Sequence, residues 1–226
     1  MLSKSEQKFT SIYAIIVIIE LLCASITSLT SIRYFTKPLI VLSLLLFFLF
    51  RSQLITKNVR ILTILALLCS LSGDIALLFD GISPNYFMLG LGSFLVAHVM
   101  YVLIFLKQRD PYKSPVRFTA LMLCYAALLF YMMKDGLGNL LIPVIVYMIV
   151  ILSMSTTAYL RQKQDHVMSY NWVFTGAILF MVSDSILALD KFFQPLALSS
   201  IFIMLTYALA QYCIVIGILK HNGNLR

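Results

Sequence analysis

Charge is scarce in this chain, and acidic charge scarcest. Only 12% of its 226 residues are charged, with nine Asp or Glu against seventeen Lys or Arg. A soluble domain needs about a quarter of its residues charged, so this composition excludes one. Hydrophobic residues make up 61% of the chain, and mean hydropathy is +0.96. Spans of roughly 20 apolar residues consume most of the length and leave only short loops, so no separate soluble domain fits. The expectation is an all-α polytopic membrane protein with about eight transmembrane helices, a single transmembrane domain over residues 1–226.

Other shortages narrow the chemistry. The four cysteines, Cys23, Cys69, Cys124 and Cys213, all fall inside apolar runs. There they behave as small hydrophobes and form neither a disulfide framework nor a zinc cluster. Of three histidines, His166 and His221 lie in polar segments, so a three-histidine catalytic zinc site cannot be assembled. Neither Gly-x-Ser-x-Gly nor a glycine-rich phosphate loop occurs. The expectation is therefore no metal and no cofactor. The formal charge of +8 invites a nucleic-acid reading, but the basic residues sit in short segments between apolar runs, where they orient a membrane protein. No nucleic-acid partner and no obligate protein partner are expected.

What the chain does contain is one stretch written twice. Ser72-Gly73-Asp74-Ile75-Ala76-Leu77-Leu78-Phe79-Asp80 is matched by Ser183-Asp184-Ser185-Ile186-Leu187-Ala188-Leu189-Asp190. Each copy has an aspartate inside an apolar run and a second aspartate six residues on, where the run ends. An ionisable group in a membrane is costly, so Asp74 and Asp184 are the first catalytic candidates. Asp80 and Asp190 stand beside turn residues and read as caps or water-facing groups. Two carboxyls brought together out of water can share one proton, giving one acid and one base. Gly73, Ser72 and Ser183 are small enough to let helices approach closely and to add hydroxyl partners.

The spans expected in order are about 9–28, 38–50, 61–79, 86–106, 118–133, 137–160, 171–189 and 196–219. Pro38 reads as the opening of the second span, after a loop holding Arg33 and Lys37. Lys4 and Lys8 precede the first span as in a signal peptide. Glu20 interrupts that segment and no small-residue cleavage site follows, so it reads as a retained span. The N-terminus, alternate loops and C-terminus on one side hold thirteen Lys or Arg, including Lys163 and Arg226; the other side holds four. That asymmetry puts both termini in the cytoplasm, and the short loops suggest a bacterial inner membrane. Asp74 and Asp184 then lie roughly 7–9 Å below the outer helix ends, at about 1.5 Å per residue. Lys37 would sit just above them and Tyr147 at similar depth, with Glu20 and His98 deeper. Tyr207 and Gln211 lie in the last span. Glu20 reads either as a third site carboxylate or as a partner for His98. The four-span offset between the two aspartates admits a 4+4 parallel repeat.

These residues resemble the YhhN-like lysoplasmalogenase family of eight-span membrane proteins. The carriers are Lys37-Pro38-Leu39; Ser72-Gly73-Asp74 with Leu77-Leu78; Gly90-Leu91 through Phe94, Ala97-His98 and Tyr101; Pro143-Val144 with Tyr147; and Gly176-Ala177-Ile178-Leu179-Phe180 with Ser183-Asp184 and Leu187-Ala188. The resemblance implies cleavage of the vinyl-ether bond of a lysophospholipid, the lysoplasmalogen, to a fatty aldehyde and a glycerophospho-base. Membrane lipids are the implied surroundings. An enol ether hydrolyses once an acid protonates its β-carbon, and a carboxyl with a carboxylate suits that step. Lys37, with Arg33, would hold the lipid phosphate at the outer surface, while His98 and Tyr147 would position water or an acid. The competing expectation is a proton-coupled carrier using the same carboxylates, for which Pro143 is the one internal helix break in view.

Overall fold

The structure is a computed structural model that describes residues 3–162 and 167–222. Lys163, His166 and Arg226 lie outside the described residues. Eight helices, each long and apolar enough to cross a membrane, account for almost all the rest. They are α1 Lys4–Ser25, α2 Arg33–Arg51, α3 Lys57–Leu77, α4 Pro84–Leu106, α5 Val116–Met133, α6 Leu141–Tyr159, α7 Val167–Phe192 and α8 Ser199–Asn222. The protein is an integral membrane protein by this architecture.

Local chemistry sets several boundaries. Ser3 caps α1 by accepting from the Glu6 amide, while Glu6 Oε2 accepts from the Ser3 amide at 2.6 Å. This reciprocal pair starts the helix five residues before the apolar run at Phe9. Ser83 caps α4, and Pro84 takes its first position, where a missing N–H costs nothing. Pro143 likewise stands in the first turn of α6, so that helix is unbroken. α7 runs on to Phe192, and α8 continues through His221 instead of ending in a polar tail.

The second span departs from its expected start. α2 begins at Arg33, and Pro38 is inside it. A short 3-10 run, Thr27–Ile32, leads straight into α2. Arg33 and Thr36 are drawn into the helix because both donate to the Glu20 carboxylate of α1, Arg33 Nε at 3.1 Å. Lys37 is therefore not in a loop above the bundle. It sits in the second turn of α2, only 8% exposed.

α8 is the central helix, with 67% of its apolar window buried against protein, and α5 the most peripheral, with 11%. The most extensive interfaces are α7 on α8 and α3 on α4. These are equivalent pairs under the four-span offset. Glycine makes the α7–α8 approach possible: a Cβ at Gly176 would lie 2.8 Å from the Ala210 carbonyl oxygen. α4 also packs on α6, and α5 rests chiefly on α6 and α7.

At the end away from the aspartates, the segments after α4 and α6 pair through an isolated bridge between Arg109 and Arg161. The Arg161 side chain is 2% exposed, yet it donates to Gln108 Oε1 at 2.7 Å and to the Ser169 carbonyl and hydroxyl. Its charge is buried with hydrogen-bond partners around it, the condition under which an interior arginine is tolerated. Beside it, Lys113 lies between the rings of Tyr159 and Tyr170 and donates to the Tyr159 carbonyl at 2.5 Å and the Tyr170 hydroxyl at 2.9 Å. Partial burial between the rings pushes its ammonium below the ordinary lysine range.

Candidate active site

The two aspartates occupy two neighbouring half-sites, not one shared site. Asp184, on α7, is eight residues from the helix end at Phe192; Asp74, on α3, is three residues from the end at Leu77. At about 1.5 Å per residue the two aspartates lie roughly 12 Å and 4.5 Å from their own helix ends, where 7–9 Å was expected of both. The cause is that α7 extends past Leu189 while α3 stops before Phe79.

Asp184 belongs to a half-site built by α4, α6 and α7. The Tyr147 hydroxyl donates to its Oδ2 at 2.5 Å, and His98 Nε2 faces the same oxygen at 3.7 Å. His98 is fully buried, and neither ring nitrogen has a hydrogen-bond partner among the described residues. Its ring stands edge-on to Tyr147 at 5.4 Å and to Phe180 at 4.5 Å. The structure brings His98, Tyr147 and Asp184 together.

Asp184 also lines a pocket between α4, α5, α6 and α7, with Leu77 at the end of α3 on its wall as well. Leu91, Phe94, Leu129, Met133, Ile151 and Met181 supply much of its wall, and the few polar groups on it are Asp184, Ser185, Tyr125 and Tyr147. The Tyr125 hydroxyl lies 2.8 Å from Ser185 Oγ, so those two satisfy each other. A pocket with such apolar walls suits an aliphatic chain. The Asp184 side chain keeps 15% exposure, whereas Asp74 as a whole residue keeps 1%.

Asp74 lies in a second half-site built by α2, α3, α4 and α8. The Tyr207 hydroxyl donates to its Oδ2 at 2.8 Å. Behind Tyr207, Gln211 donates to Ser70 Oγ at 2.9 Å and reaches the Tyr207 hydroxyl at 3.5 Å, while the Tyr101 hydroxyl donates to Gln211 Oε1 at 2.8 Å. Lys37 is in electrostatic range of Asp74, Glu20, Arg33 and Asp80, and makes no ion pair within 4 Å among the described residues. The structure thus brings Tyr207 and Lys37 to Asp74, with Lys37 inside the bundle and not in an outer loop.

Glu20 does not partner His98. α1 packs on α2 and α8, so its carboxylate meets Arg33 and Thr36. It is also not mid-span, since α1 ends only five residues later, at Ser25. Both oxygens are taken, so it reads as a packing group. Asp80 pairs with Lys191 at 3.3 Å on the surface, and Asp190 Oδ1 accepts from the Leu196 amide at 2.7 Å, as their positions beside turns led one to expect.

Three rings separate the half-sites. Phe94 meets Tyr207 at 5.7 Å and Phe180 at 6.3 Å, and Phe180 meets Tyr207 at 5.3 Å, all close to perpendicular. Gly73 explains how Phe94 reaches that place: a Cβ there would lie 2.7 Å from the Phe94 ring. The glycine before Asp74 therefore seats the wall that keeps Asp74 from the pocket. Ser183 donates to the Ile203 carbonyl of α8, but Ser72 is turned to its own helix and gives Asp74 no bond. Gln211, Tyr101 and Ser70 carried no assigned role in the sequence, although a glutamine in an apolar run was a visible signal. Among the described residues no three His, Cys, Asp or Glu side chains gather as a metal site would require.

Taken together, the fold and site define a polytopic membrane protein with a carboxyl group opening into an intramembrane apolar pocket. The model of the YhhN family matches residues 32–218, and the chain belongs to that family. It is 31% identical over 158 residues to Lysoplasmalogenase TMEM86B of Homo sapiens, covering 69% of this chain and 62% of that protein. It is 32% identical over 158 residues to Lysoplasmalogenase TMEM86A of Homo sapiens, covering 67% and 62%. Against the Lysoplasmalogenase of Mycobacterium tuberculosis it is 31% identical over 136 residues, covering 58% and 50%. The chain thus spans less than two thirds of the length of these relatives. No solved structure matches it.

Proposed function

We propose that this protein hydrolyses the vinyl-ether bond of a single-chain alkenyl glycerophospholipid, releasing a fatty aldehyde and a glycerophospho-base. The observation that carries this reading is Asp184, a carboxyl on the wall of an apolar pocket with one oxygen held by Tyr147. The relatives named lysoplasmalogenase support the same substrate. The alkenyl chain occupies the pocket, with its vinyl ether beside Asp184.

The reaction balances with this chain's own groups. The proton on Asp184 Oδ1 passes to the β-carbon, and the double-bond electron pair forms the new C–H bond. Positive charge develops on the α-carbon and the ether oxygen, beside the carboxylate just formed, which stabilises it. Water adds its oxygen to the α-carbon and returns a proton to Asp184. The hemiacetal then collapses: its bond to the glycerol oxygen breaks, that oxygen takes the hydroxyl proton, and the aldehyde leaves. Asp184 ends protonated, as it began.

We further take residues 1–226 to act as one transmembrane unit, with both termini in the cytoplasm of a bacterial inner membrane. The lysine and arginine asymmetry supports this orientation. The carrier reading draws no support from helix breaks, since α2 and α6 are continuous despite Pro38 and Pro143.

The test is aldehyde release by the purified, detergent-solubilised protein offered a 1-alkenyl lysophospholipid beside its 1-acyl counterpart. Aldehyde from the alkenyl lipid alone, abolished in Asp184→Asn, is the expected result. Folded protein that yields no aldehyde, or Asp184→Asn with full activity, overturns the reading.

A further inference from the structure

The two aspartates resemble each other in sequence but not in what surrounds them. Asp184 is faced by Tyr147 from α6 and His98 from α4, and Tyr125 of α5 reaches only its neighbour Ser185. Among the described residues no lysine, arginine or second carboxylate lies in electrostatic range of it. A carboxylate in apolar surroundings with one hydroxyl donor and no cation is costly, and the neutral acid avoids that cost. The neutral acid also suits the geometry. Tyr147 occupies Oδ2, which is the carbonyl oxygen when the proton sits on Oδ1.

Asp74 has the opposite setting. Lys37 of α2 supplies a cation within electrostatic range, and Glu20 of α1 is held by Arg33. The donors also run in one direction. Gln211 Oε1 can only accept, so the Tyr101 hydroxyl donates to it. Gln211 Nε2 can only donate, so its hydrogens go to Ser70 Oγ and toward Tyr207 Oη. Tyr207 then has its own proton left to give, and Asp74 Oδ2 receives it. Hydrogen bonds aligned this way polarise one another and favour negative charge at the end of the chain.

We propose a fixed division of protons in the resting protein: Asp184 carries the transferable proton, and Asp74 is a carboxylate held so by Lys37 and by the Tyr101–Gln211–Tyr207 chain. Gln211 is a positioning residue, acting through Tyr207. The ring wall of Phe94, Phe180 and Tyr207 keeps the two carboxyls from exchanging roles. This deepens the hydrolytic reading and rests on it only for the fate of the proton.

The test is infrared spectroscopy of the purified protein at neutral pH, read at the carbonyl stretch of a protonated carboxyl and assigned by its shift in D2O. The expected spectrum has this band in the wild type and in Asp74→Asn but not in Asp184→Asn. Asp184→Glu should move the band without removing it, and decides the matter where the asparagine protein does not fold. Lys37→Met and Gln211→Leu should each add a second band that disappears when Asp74→Asn is combined with it. A wild-type band lost in Asp74→Asn and kept in Asp184→Asn overturns the division, as does no band at all. Lys37→Met and Gln211→Leu spectra identical to wild type overturn the part given to the donor chain. These spectra need no substrate. Absence of aldehyde would sink the hydrolytic reading and leave the bands in place, while reversed bands would leave aldehyde release standing.

Discussion

The hydroxyl of Tyr147 donates to Oδ2 of Asp184 at 2.5 Å, and among the described residues no hydrogen bond reaches Oδ1. One oxygen is anchored, and the other is left to act as the acid in the proposed reaction. Tyr147→Phe removes the anchor while keeping the ring against His98. Loss of one hydrogen bond to a reacting carboxyl is worth about 1.5–3 kcal/mol, or roughly 10- to 100-fold in rate. The expected outcome is that loss in kcat for aldehyde release, with the affinity for a non-hydrolysable alkyl ether lysolipid unchanged. An equal fall in affinity would mean that Tyr147 only shapes the pocket.

Glu20 is fully paired, to Arg33 and Thr36, and lies outside the pocket. Glu20→Gln keeps the shape and loses the charge. We expect a cost of about 1–3 kcal/mol in stability, read as a lower midpoint of thermal unfolding in detergent, with normal specific activity in the folded fraction. A folded but inactive Glu20→Gln protein would place Glu20 in the chemistry after all.

α7 approaches α8 closely at Gly176. A methyl there meets the Ala210 carbonyl oxygen at 2.8 Å and the Ile214 amide nitrogen at 2.9 Å, backbone atoms that cannot swing aside. Gly176→Ala should destabilise by about 1–3 kcal/mol, seen by unfolding in detergent. Tolerance of alanine with an unchanged midpoint would show that these helices slide freely.

Ala126 of α5 lines the pocket and is buried. Ala126→Phe fills part of the space without adding polarity. Activity on long-chain alkenyl lipids should fall at least about tenfold relative to short-chain ones, since displaced methylenes are worth about 0.8 kcal/mol each. A competition assay with mixed chain lengths reads this directly. An unchanged ratio would mean that the chain binds elsewhere.

The orientation is tested at two exposed loop positions, Ile82 (73% exposed) and Tyr112 (96% exposed). Ile82→Cys should react with an impermeant maleimide in intact cells, and Tyr112→Cys only after lysis. The reverse pattern would invert the topology.

Much of this fold was legible because lipid leaves the backbone few choices: apolar runs bounded by lysine and arginine could only be helices. The aspartates were legible for the same reason. Their separation was not. Position along a helix gives depth but not the neighbour each face meets, and here α3 packs on α4 while α7 packs on α8. Phe94 and Phe180, which stand between the carboxyls, look in sequence like any other apolar residue. The start of α2 was hidden because Arg33 and Lys37 read as loop when their partners, Glu20 and Asp74, lie on other helices.

α5 rests chiefly on α6 and α7, yet it supplies one whole side of the pocket. A wall with so little protein behind it has lipid as its other support. The cavity's width is then shared between the polypeptide and its solvent, and lateral pressure in the bilayer becomes part of what sets the pocket's shape.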